Sequence, residues 1–152
     1  MPISKPEVGA AVFCEKVLEE KTGVLSAIRI IDTITVSGTI LGQPAVAPIT
    51  LFVLLRAGDT SGEYKLTLRG FKPSGAPIKL TTSPEGEMLT PPIDVILDSE
   101  TRLVANVVFN LNVAFVENGW YRFEVLVDGE RLTSVPLRLK REDRADRGQL
   151  PN

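Results

Sequence analysis

The chain reads as all-β: a single antiparallel β-sandwich of immunoglobulin-like, Greek-key type, with about seven to nine strands. Three observations carry this expectation. Eleven prolines and twelve glycines punctuate the 152 residues, and between them lie short runs rich in Val, Ile, Leu, Phe and Thr, the rhythm of strands separated by turns. Residues 103–113 (LVANVVFNLNV) alternate with period two, which suits a strand with one face in a core and scatters around a helix. A Gly-x-Tyr pattern, then Lys or Arg and an alternating run, occurs in GEYKLTLRG (62–70) and again in GWYRFEVLVDG (119–129).

Taken in chain order, the N-terminal third is the most ambiguous. CEKVLEEK (14–21) contains good helix formers, so residues 10–20 fit a helix as well as a strand. Thr22-Gly23 makes a credible turn into LSAIRIIDTITV (25–36), a strong strand, and this favours a long hairpin. The inward row of that strand shifts near Ile30-Ile31, which predicts a β-bulge. ITLFVLLR (49–56) is apolar on both faces, as in a strand covered on each side or entering a subunit contact. In the first Gly-x-Tyr segment, Tyr64, Leu66 and Leu68 point inward and Lys65, Thr67 and Arg69 outward, before the turn residues KPSG (72–75). Further strands are expected over 76–81 and 93–97, with the loop TSPEGEMLTPP (82–92) between them.

In the second half, Leu103, Ala105, Val107, Phe109, Leu111 and Val113 make an inward row, and Val104, Asn106, Val108, Asn110 and Asn112 an outward one. Tyr121, Phe123, Val125 and Val127 then face in, with Trp120, Arg122 and Glu124 out. Asp128-Gly129 supplies the positive φ angles of a type I′ hairpin turn. The return strand, 131–139, turns Val135, Leu137 and Leu139 inward, and Pro136 predicts a position at a sheet edge because it cannot donate to a ladder. The sandwich domain is assigned to 1–140 and a charged, solvated tail to 141–152.

Glycine permits the backbone turn into each strand, and a tyrosine just inside such a turn suits a tyrosine corner, with the ring buried and the hydroxyl bonded to nearby backbone. Two corners fit two Greek-key crossings. The alternative is a binding site in which outward Trp120 and Arg122 grip a ligand.

Much chemistry is excluded or weakened. The chain has no histidine, which removes Ser-His-Asp and Cys-His catalysis and imidazole metal ligation. The single cysteine, Cys14, makes no intramolecular disulfide or thiolate zinc cage, and its apolar neighbourhood suits an inert buried thiol. Neither phosphate-cradling glycine pattern nor a calcium-loop run occurs, so no metal or cofactor is expected. The candidate acids are Glu85, Glu87, Asp94, Asp98 and Glu100, which the sequence does not bring together as a glycosidase pair. Asn106, Asn110 and Asn112 are candidate sugar contacts. A net charge of −2 and pI near 5.3 give no basic field for nucleic acid. No apolar run approaches the ~20 residues that span a bilayer. With one cysteine and no secretory pattern at the start, the setting reads as cytoplasmic.

FCEKVLEEKTGVLSAIRIIDTITV, GEYKLTLRGFKPSG and GWYRFEVLVDGERLTSVPLRL, in that order, resemble a family of small bacterial proteins of unknown function. The resemblance covers most of residues 8–140 and implies a compact β-sandwich. It implies no catalytic residues. The functional expectation is a non-enzymatic interaction or assembly module, homo-oligomeric, with a protein partner or itself as ligand. It rests on the doubly apolar strand around Leu51–Leu55, on Val104 and Val108, and on Trp120. The alternatives are a carboxylate-based glycan hydrolase and a carbohydrate- or lipid-binding sandwich.

Overall fold

The computed structural model describes residues 5–40, 43–80, 90 and 92–144, and they contain strands and turns but no helix. Ten strands follow one another: β1 (Glu7–Glu19), β2 (Leu25–Ile31), β3 (Thr33–Ile40), β4 (Ala45–Arg56), β5 (Gly62–Phe71), β6 (Pro77–Ile78), β7 (Ile93–Leu97), β8 (Val104–Phe115), β9 (Gly119–Val127) and β10 (Glu130–Arg144). One sheet has the order β2-β1-β4-β8 and the other β3-β10-β9-β5-β6, with β7 also on β5. The two inner faces share one core, as in a β-sandwich. The strand count of ten exceeds the expected seven to nine by one, because residues 25–36 divide into two strands.

The core is the set of inward rows read from the sequence. Leu51, Val53 and Leu55 of β4, Leu66 and Leu68 of β5, Val113 and Phe115 of β8, and Phe123 and Val125 of β9 are fully buried. Phe13 meets Phe123 edge-on at 5.1 Å between ring centroids, and Phe115 meets Tyr121 at 4.9 Å and 90°, the edge-to-face geometry that aromatic quadrupoles favour. Leu103 is the exception to its row: it precedes β8 and is exposed.

Residues 10–19 are strand, so the hairpin reading holds over the helix. The turn closes with the Gly23 amide on the Glu20 carbonyl and the Glu20 amide on the Val24 carbonyl, both 2.8 Å. The expected bulge at Ile30-Ile31 is absent, since the β1–β2 register does not shift from Lys16↔Ile28 through Cys14↔Ile30 to Phe13↔Ile31, although Arg29 between them takes a positive φ of 52°. The inward row shifts there because the chain changes sheet: β2 ends at Ile31, Asp32 makes the crossing, and β3 enters the opposite layer. The register shifts instead at Val8/Ala10 against β4, at Arg131/Thr133 against β9 and at Glu142/Arg144 against β3.

Two further expectations are corrected. The sandwich is not wholly antiparallel, because β3 pairs in parallel with β10, from Arg138↔Thr33 to Arg144↔Ile40. Nor is β10 an edge strand; it lies between β9 and β3. Pro136 is tolerated because amides along a strand alternate between its two neighbours. The Arg138 amide donates to the Asp32 carbonyl at 2.8 Å, so Pro136, two residues earlier, directs its missing donor past the start of β3. The strand also continues beyond Lys140 to Arg144.

The chain passes from the four-stranded to the six-stranded sheet between β4 and β5 and again between β8 and β9. Each passage delivers a Gly-x-Tyr segment. At the second, the Tyr121 hydroxyl donates to the Glu117 carbonyl at 2.8 Å and accepts from the Glu117 amide at 3.0 Å. Burial pushes the phenol pKa up, which keeps the donor protonated. Gly119 adopts φ 128°, and a Cβ there would stand 3.1 Å from Pro73 Cγ, so no other residue fits without strain. Tyr64 is buried in the same way, but its hydroxyl has no hydrogen-bond partner among the described residues. The repeat is therefore one bonded tyrosine corner and one packed tyrosine.

Tyr121→Phe strips both corner bonds and takes this partner from the Glu117 amide and carbonyl alike, so urea denaturation should show a loss of about 1–3 kcal/mol. Tyr64→Phe should cost clearly less. Equal losses would show that the corner bonds are not what stabilises the β8–β9 passage.

Candidate functional site

Two surfaces stand out, one on each sheet. The first is the edge of the four-stranded sheet. β8 pairs with β4 without a register break from Arg56↔Val104 to Ala45↔Phe115, and its other edge has no strand partner among the described residues. Its sequence, VANVVFNLNVAF, contains no charged residue and no proline. On its outer face, Val104, Asn106, Asn110, Asn112 and Ala114 are exposed and Val108 is half-buried. The Asn110 Oδ1 accepts from Thr50 Oγ1 at 3.0 Å. Where β8 approaches β7, a cleft of about 640 Å³ is lined by Ile93–Ile96, Val104–Val108 and the tip of the β1–β2 hairpin at Glu19, Gly23 and Leu25. Exposed apolar side chains gather beside it: Leu18 and Val24 on the hairpin, Ile96 on β7, and Leu103 and Val104 at the start of β8.

The second surface is the outer face of the six-stranded sheet, where register places Phe71 beside Arg122, Arg69 beside Glu124, and Trp120 beside Arg138. Glu124 shares the outward parity of Trp120 and Arg122, yet its side chain is only 4% exposed. It is buried under arginines. Arg69 Nε lies 2.7 Å from Oε1, while Arg131 Nη1 and Arg122 Nε lie 3.4 and 3.6 Å from Oε2. Burial alone would raise the carboxyl pKa, but the hydrogen bond and charge of Arg69, helped by Arg131 and Arg122, outweigh it and hold the group below its ordinary value. The Arg69 and Arg122 guanidiniums sit over the Phe71 ring at 5.5 and 4.9 Å, within cation–π range. Trp120 is 52% exposed.

The two residues singled out from the sequence, Trp120 and Arg122, thus share this face, and Arg122 belongs to the cluster around Glu124. Glu124 itself was missed. Its parity signals solvent, and two of the three arginines that cover it, Arg69 and Arg131, come from β5 and β10, which only strand register brings alongside. The candidate sugar contacts do not join Trp120, because Asn106, Asn110 and Asn112 lie on the other sheet.

The candidate acids that are described do not form a pair. Asp94 Oδ1 accepts from Lys65 Nζ at 2.8 Å, and this contact raises the lysine pKa. Asp98 Oδ1 accepts from the Glu100 amide at 2.7 Å and the Thr101 amide at 3.2 Å, bonds that lower its own pKa. That is a turn cap. Glu100 is exposed on the same turn, and Glu85 and Glu87 lie outside the described residues. No group of three or more acidic or cysteine side chains is placed to hold a metal among the described residues, and no helix among them is long and apolar enough to cross a membrane. Cys14 is buried, which pushes its thiol pKa up and its reactivity down.

Two packed sheets joined by a tyrosine corner define a β-sandwich of the immunoglobulin-like class. Within that class the chain belongs to a family of unknown function, DUF6941, whose match spans residues 9–140. Among solved structures, the chain is similar to the alkylpurine DNA glycosylase AlkC of Pseudomonas fluorescens, bound to DNA containing an abasic site analogue, at 12% identity and TM-score 0.51. That match covers 89% of this chain but 30% of the glycosylase. An immunoglobulin-like protein of Pseudomonas aeruginosa matches at 15% identity and TM-score 0.40, over 90% of this chain and 98% of its own. A β-glucosidase of Listeria innocua matches at 11% identity and TM-score 0.46, over 95% of this chain and 17% of its own. At these identities the likeness concerns fold alone. The curated proteins yield no match.

Glu124 gives this region an acid signature. Its folded pKa lies below its unfolded one, so its stabilisation is complete above the ordinary carboxyl range, about 4.3, and is lost as pH falls through the lower folded value. Glu124→Gln should cost about 1–3 kcal/mol at neutral pH and flatten the stability curve below pH ~4. Thermal melts of both forms from neutral to acid pH test this; parallel curves would refute it.

Proposed function

We propose that the protein is a non-enzymatic interaction module that assembles with a second copy of itself through the edge of β8. The observation that carries this reading is the character of that edge. Natural sheets protect long exposed edges with lysines, prolines or bulges that forbid further pairing. β8 has 12 residues and none of these devices. An uncharged strand meets an antiparallel copy without like-charge repulsion, and a two-fold axis on the edge sets the same Val and Asn rows against each other. The apolar side chains beside the β7–β8 cleft adjoin the edge and add area to a contact made there.

A non-enzymatic role is further supported by the engagement of Asp94 with Lys65 and the use of Asp98 as a turn cap, which leave the rival glycan-hydrolase reading with less support. The buried, raised-pKa thiol of Cys14 suits the cytoplasmic setting that forms part of the same reading.

Light scattering on wild-type protein at tens to hundreds of micromolar should give a multiple of the 16.5 kDa chain mass. Asn106→Lys combined with Asn112→Lys places like charges along the edge and should return the mass to that of one chain, with unchanged circular dichroism. A wild-type monomer throughout that range would end the reading.

A further inference from the structure

The outer face of the six-stranded sheet has no part in the β8 assembly and carries an inference of its own. One buried carboxylate, Glu124, is surrounded by Arg69, Arg122 and Arg131. A single negative charge does not neutralise three guanidiniums, so a net positive charge remains at the centre of the face. The arginines that hold it are restrained. Glu124 fixes one side of the cluster, and Phe71 lies under both Arg69 and Arg122. An arginine already held in place loses less freedom when it binds. The cationic character extends along the sheet. Arg138 is the register neighbour of Trp120, and Arg138 and Lys140 have no carboxylate partner among the described residues. Both line a shallow groove with Asn118, Gly119 and Glu142.

From this geometry we infer that the outer face of the six-stranded sheet binds an acidic segment of a partner protein, with Asp or Glu side chains meeting Arg69, Arg122 and Arg138 and an apolar side chain resting on Trp120. Charge complementarity selects the anion. The rest of the surface selects its source. The cations are interleaved with Phe71, Trp120 and Pro136, and Arg, Trp and Phe are residue types enriched in protein–protein contacts. The chain as a whole is net negative at −2, so its long-range field does not gather an extended polyanion such as nucleic acid. A short acidic segment needs only the local excess.

Trp120 is the only tryptophan, so intrinsic fluorescence reports on this face alone. The probe is a fluorescein-labelled peptide of Asp and Glu with a central Leu-Phe pair, titrated by anisotropy while tryptophan emission is followed with the unlabelled peptide. Saturable binding that weakens as salt is added and shifts Trp120 emission is the expected result. Arg122→Gln leaves Arg69 and Arg131 on Glu124, so the fold is preserved, and it should weaken binding by about tenfold; Arg138→Gln should weaken it by about threefold. Three outcomes would each overturn the inference: no saturable binding of the peptide, binding unaltered in Arg122→Gln, or tighter binding of a charge-matched oligothymidylate or of phosphatidylserine vesicles.

Discussion

The hydroxyl of Tyr121, bonded to both the amide and the carbonyl of Glu117, closes the passage by which the chain leaves one sheet for the other. Crossings between the sheets of a sandwich must satisfy their backbone groups, since one left buried and unpaired costs free energy comparable to a lost hydrogen bond. At this crossing the ring of Tyr121 also packs against Phe115, the last residue of β8, so one side chain fixes the exit of a strand and the entry of the next. Gly119, the first residue of β9, completes the joint against Pro73 of the neighbouring turn. The inner rows of β8 and β9 face each other because this corner sets their relative position.

Much of the architecture was legible in the sequence. Strict alternation over 103–113 and 121–127 names the buried rows of β8 and β9 with the single exception of Leu103, which lies just outside its strand. The Asp-Gly turn declares its own geometry through the positive φ that it requires. What escaped was anything that depends on which strand lies beside which. Ile30 and Ile31 register as a local irregularity because periodicity reports a change of inward face without saying whether the strand bulged or moved to the other layer. Pro136 suggests an edge, correctly for the position just short of β3 and incorrectly for the strand as a whole. Glu124 is the sharpest case, because its parity is outward while its burial is created by arginines 55 residues before it and seven after it.

The two outer faces differ in a way that composition conceals. The four-stranded sheet ends in an uncharged edge rich in Val and Asn, while the six-stranded sheet carries a concentrated set of arginines with two aromatic rings among them. A net charge of −2 averages these into an unremarkable number. Other acids lie in the Lys65–Asp94 pair of the same sheet, on turns and on the β1–β2 hairpin. The two contacts proposed above lie on different sheets and draw on different chemistry, so on that reading one would not compete with the other.

The parallel pairing of β3 with β10 joins residues about a hundred positions apart in the chain. While the chain is being synthesised, β3 emerges from the ribosome long before the strand it requires, and its ladder groups have no native partner until the last strand of the sandwich has appeared. Sequence-distant pairing of this type slows folding and leaves strand edges open to other chains in the interval. The six-stranded layer is therefore completed only once β10 has been made, and β3 is left open for the longest interval before its partner appears.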